Sequence, residues 1–340
     1  MRAYPFPKCP VCFAHDLCLA TRFSKARRQG RCYRDSRKVN LRLQARYLQK
    51  LFKEAGFGYA LSHERVRKLL RPVEMAQGRM SRPIEFSAGF EGELQHWCRF
   101  TVAYRDQQPD LLEEDAEMIA GCVAELLPYR SEALEAILGN LDPSMVIQLL
   151  YGLDLRREGS SRQKVYLRLV DGCPDAKRGF IERLLNQSAD FRWALPPEQL
   201  RLVGLDLPHE REALEFKLYY RAGPKEEVDW GVHEVAGRSL ERVIGCEKLE
   251  RDLLWIQRVS QSEQEQGKIT ELDIHLLHGG VGMDVVERFV EQDGMKLRLD
   301  RFRALNSDYQ VVPTCMTLSL GDRDKMNLYY ILPRSRRDDR

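Results

Sequence analysis

The chain has 340 residues, a formal net charge of +3, and 43% hydrophobic and 31% charged residues. That length builds one large domain or two ordinary ones, and so small a net charge gives no argument for nucleic-acid binding. No apolar run reaches the roughly 18 residues that a membrane span needs, and the N-terminus lacks the apolar segment of a secretory signal. We therefore expect a cytoplasmic protein with neither a membrane nor a nucleic acid as partner.

Residues 1–38 are predicted to form a basic N-terminal extension, and residues 334–340 a basic tail. Four of the nine cysteines fall in the extension, at Cys9, Cys12, Cys18 and Cys32. The first two have the CxxC spacing with which two thiolates bind one zinc ion, but no second pair with that spacing follows. The sequence leaves open both a structural zinc site and a cysteine-containing leader without metal.

The pattern becomes helical after the extension. Apolar residues recur at helical spacing from Leu41 to Phe52, with Gly56 as a stop, and Ser62 is predicted to open a second helix. Further helices are predicted at 111–127, 131–139, 174–187, 234–249 and 282–292. Paired strands are predicted at 83–88 and 96–105, 145–154 and 162–170, 200–206 and 213–221, 252–260 and 270–277, and 308–320 and 325–332.

Five strand pairs separated by helices favour antiparallel neighbours rather than a parallel sheet. Closing ten strands on themselves removes the exposed sheet edges and leaves room for a ligand inside. Residues 39–333 are therefore predicted to form one α/β domain, a ten-stranded antiparallel β-barrel with surrounding helices.

Two of the predicted strands carry cations and tyrosines on a single face. Because side chains alternate with period two along a strand, the shared faces consist of Lys164, Tyr166 and Arg168, and of Lys217, Tyr219 and Arg221. Such a face is typical either of a half-exposed strand with cations in water or of a barrel with a basic interior that holds a polyanion.

The usual phosphate-binding and hydrolytic motifs are missing from the sequence. There is no GxxxxGK[ST] loop, no GxGxxG placed directly after a strand, no GxSxG and no HExxH. The aspartate-rich DDxxD pattern that loads magnesium and diphosphate in helical terpenoid enzymes is missing too. A bound diphosphate would therefore have to be held by side-chain cations.

The segment VIQLLYGLDLRRE at residues 146–158 resembles the VIQL–GIDLR segment of the cyanobactin-type peptide prenyltransferases. The similarity is patchy over residues 40–332 and continues at residues 84–87, 98–100, 164–168, 202–206 and 327–330. Members of that family have the ABBA fold, a ten-stranded barrel with helices outside. They transfer an isoprenoid from a soluble allylic diphosphate, with magnesium, to a side chain or terminus of a ribosomal peptide that is often macrocyclic.

The resemblance implies a role for Glu85 as the carboxylate that orients the acceptor and takes its proton. Tyr219 and Tyr329 match rings that shield the allylic cation. Trp255 matches the end of the isoprenoid pocket, where a bulky ring favours dimethylallyl diphosphate over geranyl diphosphate. The matching diphosphate-binding positions are Arg99, Lys164, Tyr166, Lys217 and His275. Cyanobacterial members often have His at the position of Tyr166 and Tyr near that of His275, and the resemblance implies no protein ligand for a metal.

Other functions stay open at this point. The same barrel serves enzymes that prenylate small aromatic metabolites, and the cysteines of the extension with the basic ends would also suit a zinc- and nucleic-acid-binding protein. The acceptor group within a peptide is equally open, among Tyr, Trp, Arg, His, Ser, Thr and a chain terminus.

Overall fold

Ten antiparallel strands close into a barrel in which each strand pairs with its neighbours in chain order, and the last strand pairs with the first. This computed structural model describes residues 41–54, 68, 70–74, 84–90, 98–104, 109–126, 131–155, 161–185, 192–208, 214–221, 253–259, 267–275, 283, 286–287, 296–309, 311–319 and 326–332. The strands are β1 (Glu85–Phe90), β2 (Cys98–Ala103), β3 (Val146–Leu155), β4 (Ser161–Leu169), β5 (Leu200–Pro208), β6 (Glu215–Arg221), β7 (Leu253–Val259), β8 (Ile269–His275), β9 (Val312–Ser319) and β10 (Met326–Ile331).

Helices accompany the strand pairs, as the sequence predicts. They are α1 (Leu41–Glu54), α2 (Pro109–Leu126), α3 (Glu132–Leu138), α4 (Pro174–Leu185) and α5 (Lys296–Leu305). The predicted ten-stranded antiparallel barrel with helices is thus confirmed. Among the helices of the described part of the chain, none is long and apolar enough to cross a membrane.

The period-two pattern gives the barrel wall two different faces. On β4, Val165 and Leu167 belong to the main core, the large buried cluster that also contains Ile119 of α2 and Phe302 of α5. This face therefore points outward, towards the helices. Each apolar side chain fully buried there stabilises the fold by about 1.5–3 kcal/mol. The alternate residues of every strand consequently face the interior of the barrel.

Helix α5 was not predicted, since the sequence pattern indicated no element between 293 and 307. Its first residues alternate Leu with basic residues, which is typical of a strand rather than a helix. The buried residues Leu299, Phe302 and Leu305 nevertheless recur every three positions and face the main core. The following Asn306 accepts a hydrogen bond of 2.5 Å from the hydroxyl of Tyr47, which ties α1 to the end of α5.

Several predicted segments lie outside the described residues. These are the extension at 1–38, the helix start at Ser62, the helix at 234–249 and the tail at 334–340. The zinc hypothesis for the extension therefore stays a prediction. Residues 283 and 286–287 are helical, as predicted for 282–292. Residues 68 and 70 are helical as predicted for the helix that Ser62 opens, and the helix continues to 74.

Candidate active site

A small apolar cluster lies inside the barrel, separate from the main core. This inner cluster consists of Ala103, Leu150, Tyr166, Tyr219 and Ile256, with Leu202 and Leu254 packed against it. Its members alternate along their strands with residues of the main core, such as Leu167 beside Tyr166 and Leu218 beside Tyr219. The interior thus offers an apolar region lined by two tyrosine rings.

Three of the predicted diphosphate-binding residues face the same interior, each beside a carboxylate. Arg99 Nη2 donates a 2.5 Å hydrogen bond to Asp154. Lys164 Nζ lies 3.6 Å from Asp206 Oδ2. Lys217 Nζ donates at 3.0 Å to both oxygens of Glu271. The cations are therefore held in place by charge-assisted pairs rather than left free in the interior.

Strand register brings these cations close together. Burial is the main cause that lowers the pKa of Lys164 to about 8, and the positive charges of Arg99 and Lys217 lower it further. Arg99 pairs with Asp154 of β3, two positions from Gly152, which pairs with Lys164. Lys217 pairs with Gly204 of β5, which also pairs with Tyr166. The prediction that Arg99, Lys164 and Lys217 share one site is consistent with this placement.

Two further cations that were not predicted as site residues line the same region. Arg162 Nη1 lies 3.6 Å from Asp206 Oδ2. Arg258, the register partner of Lys217, donates hydrogen bonds of 2.6 and 2.8 Å to Glu271. The alternation of side chains along a strand could have identified Arg162 as an interior residue, since it precedes Lys164 by two positions on β4.

The interior contains carboxylates that the sequence pattern did not predict. Burial by itself would raise the pKa of Glu271, but Lys217 and Arg258 outweigh it and hold that pKa at about 2. Both carboxylate oxygens of Asp206 are buried and have no hydrogen-bond partner among the described residues, so its contacts are the longer ion pairs. The expected basic lumen is in fact a network of ion pairs in which cations and carboxylates alternate.

The two tyrosines of the inner cluster meet edge to face above a glycine. The ring centroids of Tyr166 and Tyr219 are 6.1 Å apart, with an interplanar angle of 70°. A Cβ atom at Gly204 would lie 3.2 Å from Cε2 of Tyr219 and 3.3 Å from Cε1 of Tyr166. Gly204 therefore lets both rings pack close to β5. Tyr166 was predicted as a diphosphate ligand, and that role stays a prediction beside its place in the ring pair.

Substituting this glycine tests the ring pair. Gly204→Ala is expected to push the rings apart and to lower the free energy of unfolding by about 1–3 kcal/mol, the usual cost of overpacking. Turnover is expected to fall as well. Gly121→Ala on α2 is the control, because nothing lies within 4 Å of the position its Cβ would take. Equal losses in the two variants, by denaturant unfolding and by turnover, would contradict this role of Gly204.

Glu85 lies inside the barrel near Tyr329, one of the two tyrosines predicted to shield the allylic cation. It alternates on β1 with Phe86 of the main core and is 8% exposed. Thr314 Oγ1 donates a 2.6 Å hydrogen bond to Glu85 Oε1. Glu85 and Thr314 lie on β1 and β9, which are separated by β10. The register between β10 and β9 shifts at Tyr329 and Tyr330, next to this contact. Tyr329 itself pairs with Ser87 and faces inward, because Leu328 and Tyr330 belong to the main core.

The structure corrects one predicted residue and leaves another untested. Trp255 is fully buried in the main core, and its register partners Tyr220 and Leu272 lie there too. It therefore faces the helices, and the prediction that it ends the isoprenoid pocket is wrong. The residues beside it on β7, Leu254 and Ile256, face the interior.

His275 is the last residue of β8 and pairs with Cys315, but its side chain lies outside the described residues. Its role in holding the diphosphate therefore stays a prediction.

The closed ten-stranded antiparallel barrel with outer helices is the fold of the ABBA prenyltransferases. A 6-dimethylallyl tryptophan synthase shares it with 16% sequence identity and a TM-score of 0.57, over 84% of this chain and 94% of that one. AnaPT from Neosartorya fischeri shares it with 12% identity and a TM-score of 0.52, over 85% of this chain and 92% of that one. No protein-family model and no protein of curated function matches the sequence.

Proposed function

We propose that this protein is a prenyltransferase that moves a dimethylallyl unit from its diphosphate to a side chain of a ribosomal, often macrocyclic, peptide. One observation carries the proposal: the cations Arg99, Lys164 and Lys217 face the same closed interior as the apolar pair Tyr166 and Tyr219. The name of the 6-dimethylallyl tryptophan synthase, which has this fold, supports the choice of donor. The sequence resemblance supports a peptide as acceptor.

The cations hold the diphosphate in this proposal. Arg99, Lys164 and Lys217 would donate charge-assisted hydrogen bonds to its oxygens, with Arg162 and Arg258 next to them. Their carboxylate partners keep the side chains oriented before the donor arrives, so little reorganisation accompanies binding. The same positive charges stabilise the negative charge that develops as diphosphate leaves.

Magnesium in this proposal binds together with the diphosphate. Mg²⁺ in such sites is usually held by one or two carboxylates and by substrate phosphates. The described residues contain no group of three His, Cys, Asp or Glu side chains that could hold a metal by themselves. Asp206, whose buried oxygens have no hydrogen-bond partner among the described residues, is the carboxylate that would hold the ion beside the diphosphate. The bound ion would neutralise part of the donor charge.

The reaction breaks the bond between the allylic carbon and the diphosphate oxygen, and the electron pair leaves with the diphosphate. The faces of Tyr166, Tyr219 and Tyr329 stabilise the allylic cation by cation–π attraction, on the order of 0.5–2 kcal/mol each. Burial raises the pKa of all three phenols, so they stay neutral. The acceptor atom then forms the new bond to carbon, and Glu85 takes the proton that the acceptor loses.

Donor binding is expected to weaken as the pH rises through about 8, the pKa to which burial lowers Lys164. The protonated lysine binds the diphosphate, and at one pH unit above that pKa roughly a tenth of it stays protonated. The dissociation constant of a non-hydrolysable donor analogue should therefore rise up to about tenfold between pH 7 and pH 9. Lys164→Arg, which keeps its charge over this range, should flatten the dependence. An equal rise in both proteins would contradict the assignment.

The proposed function is tested by an acceptor panel. The protein is incubated with dimethylallyl diphosphate, magnesium and one acceptor at a time: cyclic peptides, linear peptides, free tryptophan and a naphthol. Mass spectrometry is expected to show the addition of one dimethylallyl unit to a peptide, and fragmentation locates the modified residue. No addition to any acceptor, under conditions in which the donor binds, would contradict a transferase.

The second candidate is transfer to a small aromatic metabolite. The name of the 6-dimethylallyl tryptophan synthase favours it, because that protein shares the fold over 84% of this chain. The same panel separates the two functions. Modification of free tryptophan or naphthol in preference to every peptide would establish this candidate and reject the peptide acceptor.

A further inference from the structure

The interior holds a carboxylate that the proposed mechanism does not use. Asp273 alternates on β8 with Leu272 of the main core and therefore faces inward. Its register partners are Leu254, which packs against the inner cluster, and Thr317 of β9. The hydroxyl of Thr317 donates a hydrogen bond to Asp273 Oδ1, which fixes the orientation of the carboxylate.

Asp273 differs from the other interior acid on its strand. Glu271, two positions earlier, is paired with both Lys217 and Arg258. Within the described part of the chain, no Lys or Arg lies within ion-pair distance of Asp273, and Thr317 is its hydrogen-bond partner. A charged carboxylate that is partly removed from water and lacks a cation is costly unless a ligand supplies one.

The carboxylate lies near three interior tyrosines, Tyr166, Tyr219 and Tyr329. Burial is the main cause of the raised pKa of Tyr166 and Tyr219, and the charge of Asp273 raises both further. The charge of Asp273 also raises the pKa of Tyr329. Aromatic faces next to a carboxylate form a favourable environment for a cationic nitrogen, because the ring quadrupole and the negative charge attract the same group.

The charge balance of the interior also favours a bound cation beside Asp273. The described cations near the predicted donor site are already paired with Asp154, Asp206 and Glu271, and a diphosphate adds further negative charge. Burial, followed by the charges of Glu271 and Glu85, raises the pKa of Asp273 to about 7, against the lowering effects of Thr317 and Lys217. A bound cation would keep this carboxylate ionised.

We propose that Asp273 determines acceptor specificity by binding a protonated nitrogen side chain, a guanidinium or an ammonium group, of the acceptor peptide. This inference rests on the proposed function and names the class of its acceptor. The bound nitrogen group first gives one N–H proton to Glu85, which frees a lone pair on the nitrogen. That lone pair forms the new bond to the allylic carbon while the carbon–oxygen bond of the donor breaks and diphosphate takes the electron pair, so the product keeps one positive charge.

The test uses linear peptides of one length that differ at a single position, occupied by Arg, Lys, Tyr or Trp. With dimethylallyl diphosphate and magnesium, the wild-type protein is expected to modify the Arg or Lys peptide with the highest kcat/KM. Asp273→Asn should raise KM for that basic peptide about 10–100-fold relative to the aromatic peptides, as expected from the loss of a hydrogen bond to a charged group. Asp273→Glu, which keeps the charge, should restore part of the preference.

Asp300→Asn is the matched control, since Asp300 is exposed on α5. It should change neither kcat/KM nor KM for the basic peptide. Wild-type preference for Tyr or Trp would overturn the inference while the transferase function stands. An unchanged ratio of KM values in Asp273→Asn would overturn it as well. If no peptide is modified, the proposal of a peptide acceptor fails together with it. The wild-type comparison needs no variant, so a folding defect in Asp273→Asn leaves the inference falsifiable.

Discussion

Replacing Glu85 with glutamine is expected to slow transfer about 10²–10⁴-fold, the usual contribution of a positioned general base. Glutamine keeps the shape and can still accept the hydrogen bond from Thr314, so the fold should survive. It cannot take a proton from the acceptor. Glu85 is not among the residues proposed to hold the diphosphate, so affinity for a donor analogue should be nearly unchanged.

Single-turnover rates and calorimetric titration with a donor analogue check this expectation. Glu117→Gln is the control, because Glu117 is exposed on α2 and the same change should leave both quantities unaltered. Turnover of Glu85→Gln close to that of the wild type would remove Glu85 from the proton-transfer step. A parallel loss of donor affinity would place it with the diphosphate ligands instead.

Removing a donor-site cation should have the second largest effect. Lys164→Ala and Arg99→Ala each delete a group proposed to bind the diphosphate, and a hydrogen bond to a charged group contributes about 1.5–3 kcal/mol. Donor affinity should therefore fall roughly 10–100-fold. Arg99→Ala should also reduce stability, because it leaves the buried Asp154 without its cation.

A buried lysine elsewhere in the fold supplies the control. Lys177 on α4 is fully buried and donates a 2.9 Å hydrogen bond to the carbonyl of Leu200, and burial lowers its pKa to about 8 as well. Lys177→Ala should lower the free energy of unfolding and leave donor affinity unchanged. If calorimetry shows unchanged affinity in Lys164→Ala and Arg99→Ala, these residues do not hold the diphosphate.

The barrel could be predicted because the strands come in five pairs separated by helices, and because the period-two pattern is clear on β4. Val165 and Leu167 face the helices while Lys164 and Tyr166 face inward, and the sequence analysis separated these faces correctly. Helix α5 was not predicted because its first residues alternate between basic residues and Leu, as they would in a strand. Its three buried residues become recognisable only once the sheet against which they pack is known.

The site was harder to predict than the fold, for two physical reasons. A shift of one position moves a strand residue to the opposite face, and this explains why Trp255 was assigned to the pocket that Leu254 and Ile256 face. The carboxylates Asp206, Glu271 and Asp273 carry no signal of their own in the sequence. An acidic residue on a strand is ordinarily a solvated one, and only closure of the barrel places these three inside.

The most direct test of the central claim, that the barrel interior binds and ionises an allylic diphosphate, is a crystal structure with a dimethylallyl thiolodiphosphate and magnesium. We expect diphosphate oxygens within hydrogen-bond distance of Arg99, Lys164 and Lys217, with the isoprenoid beside the rings of Tyr166 and Tyr219. An analogue bound outside the barrel, or bound inside without contact to those three cations, would contradict it.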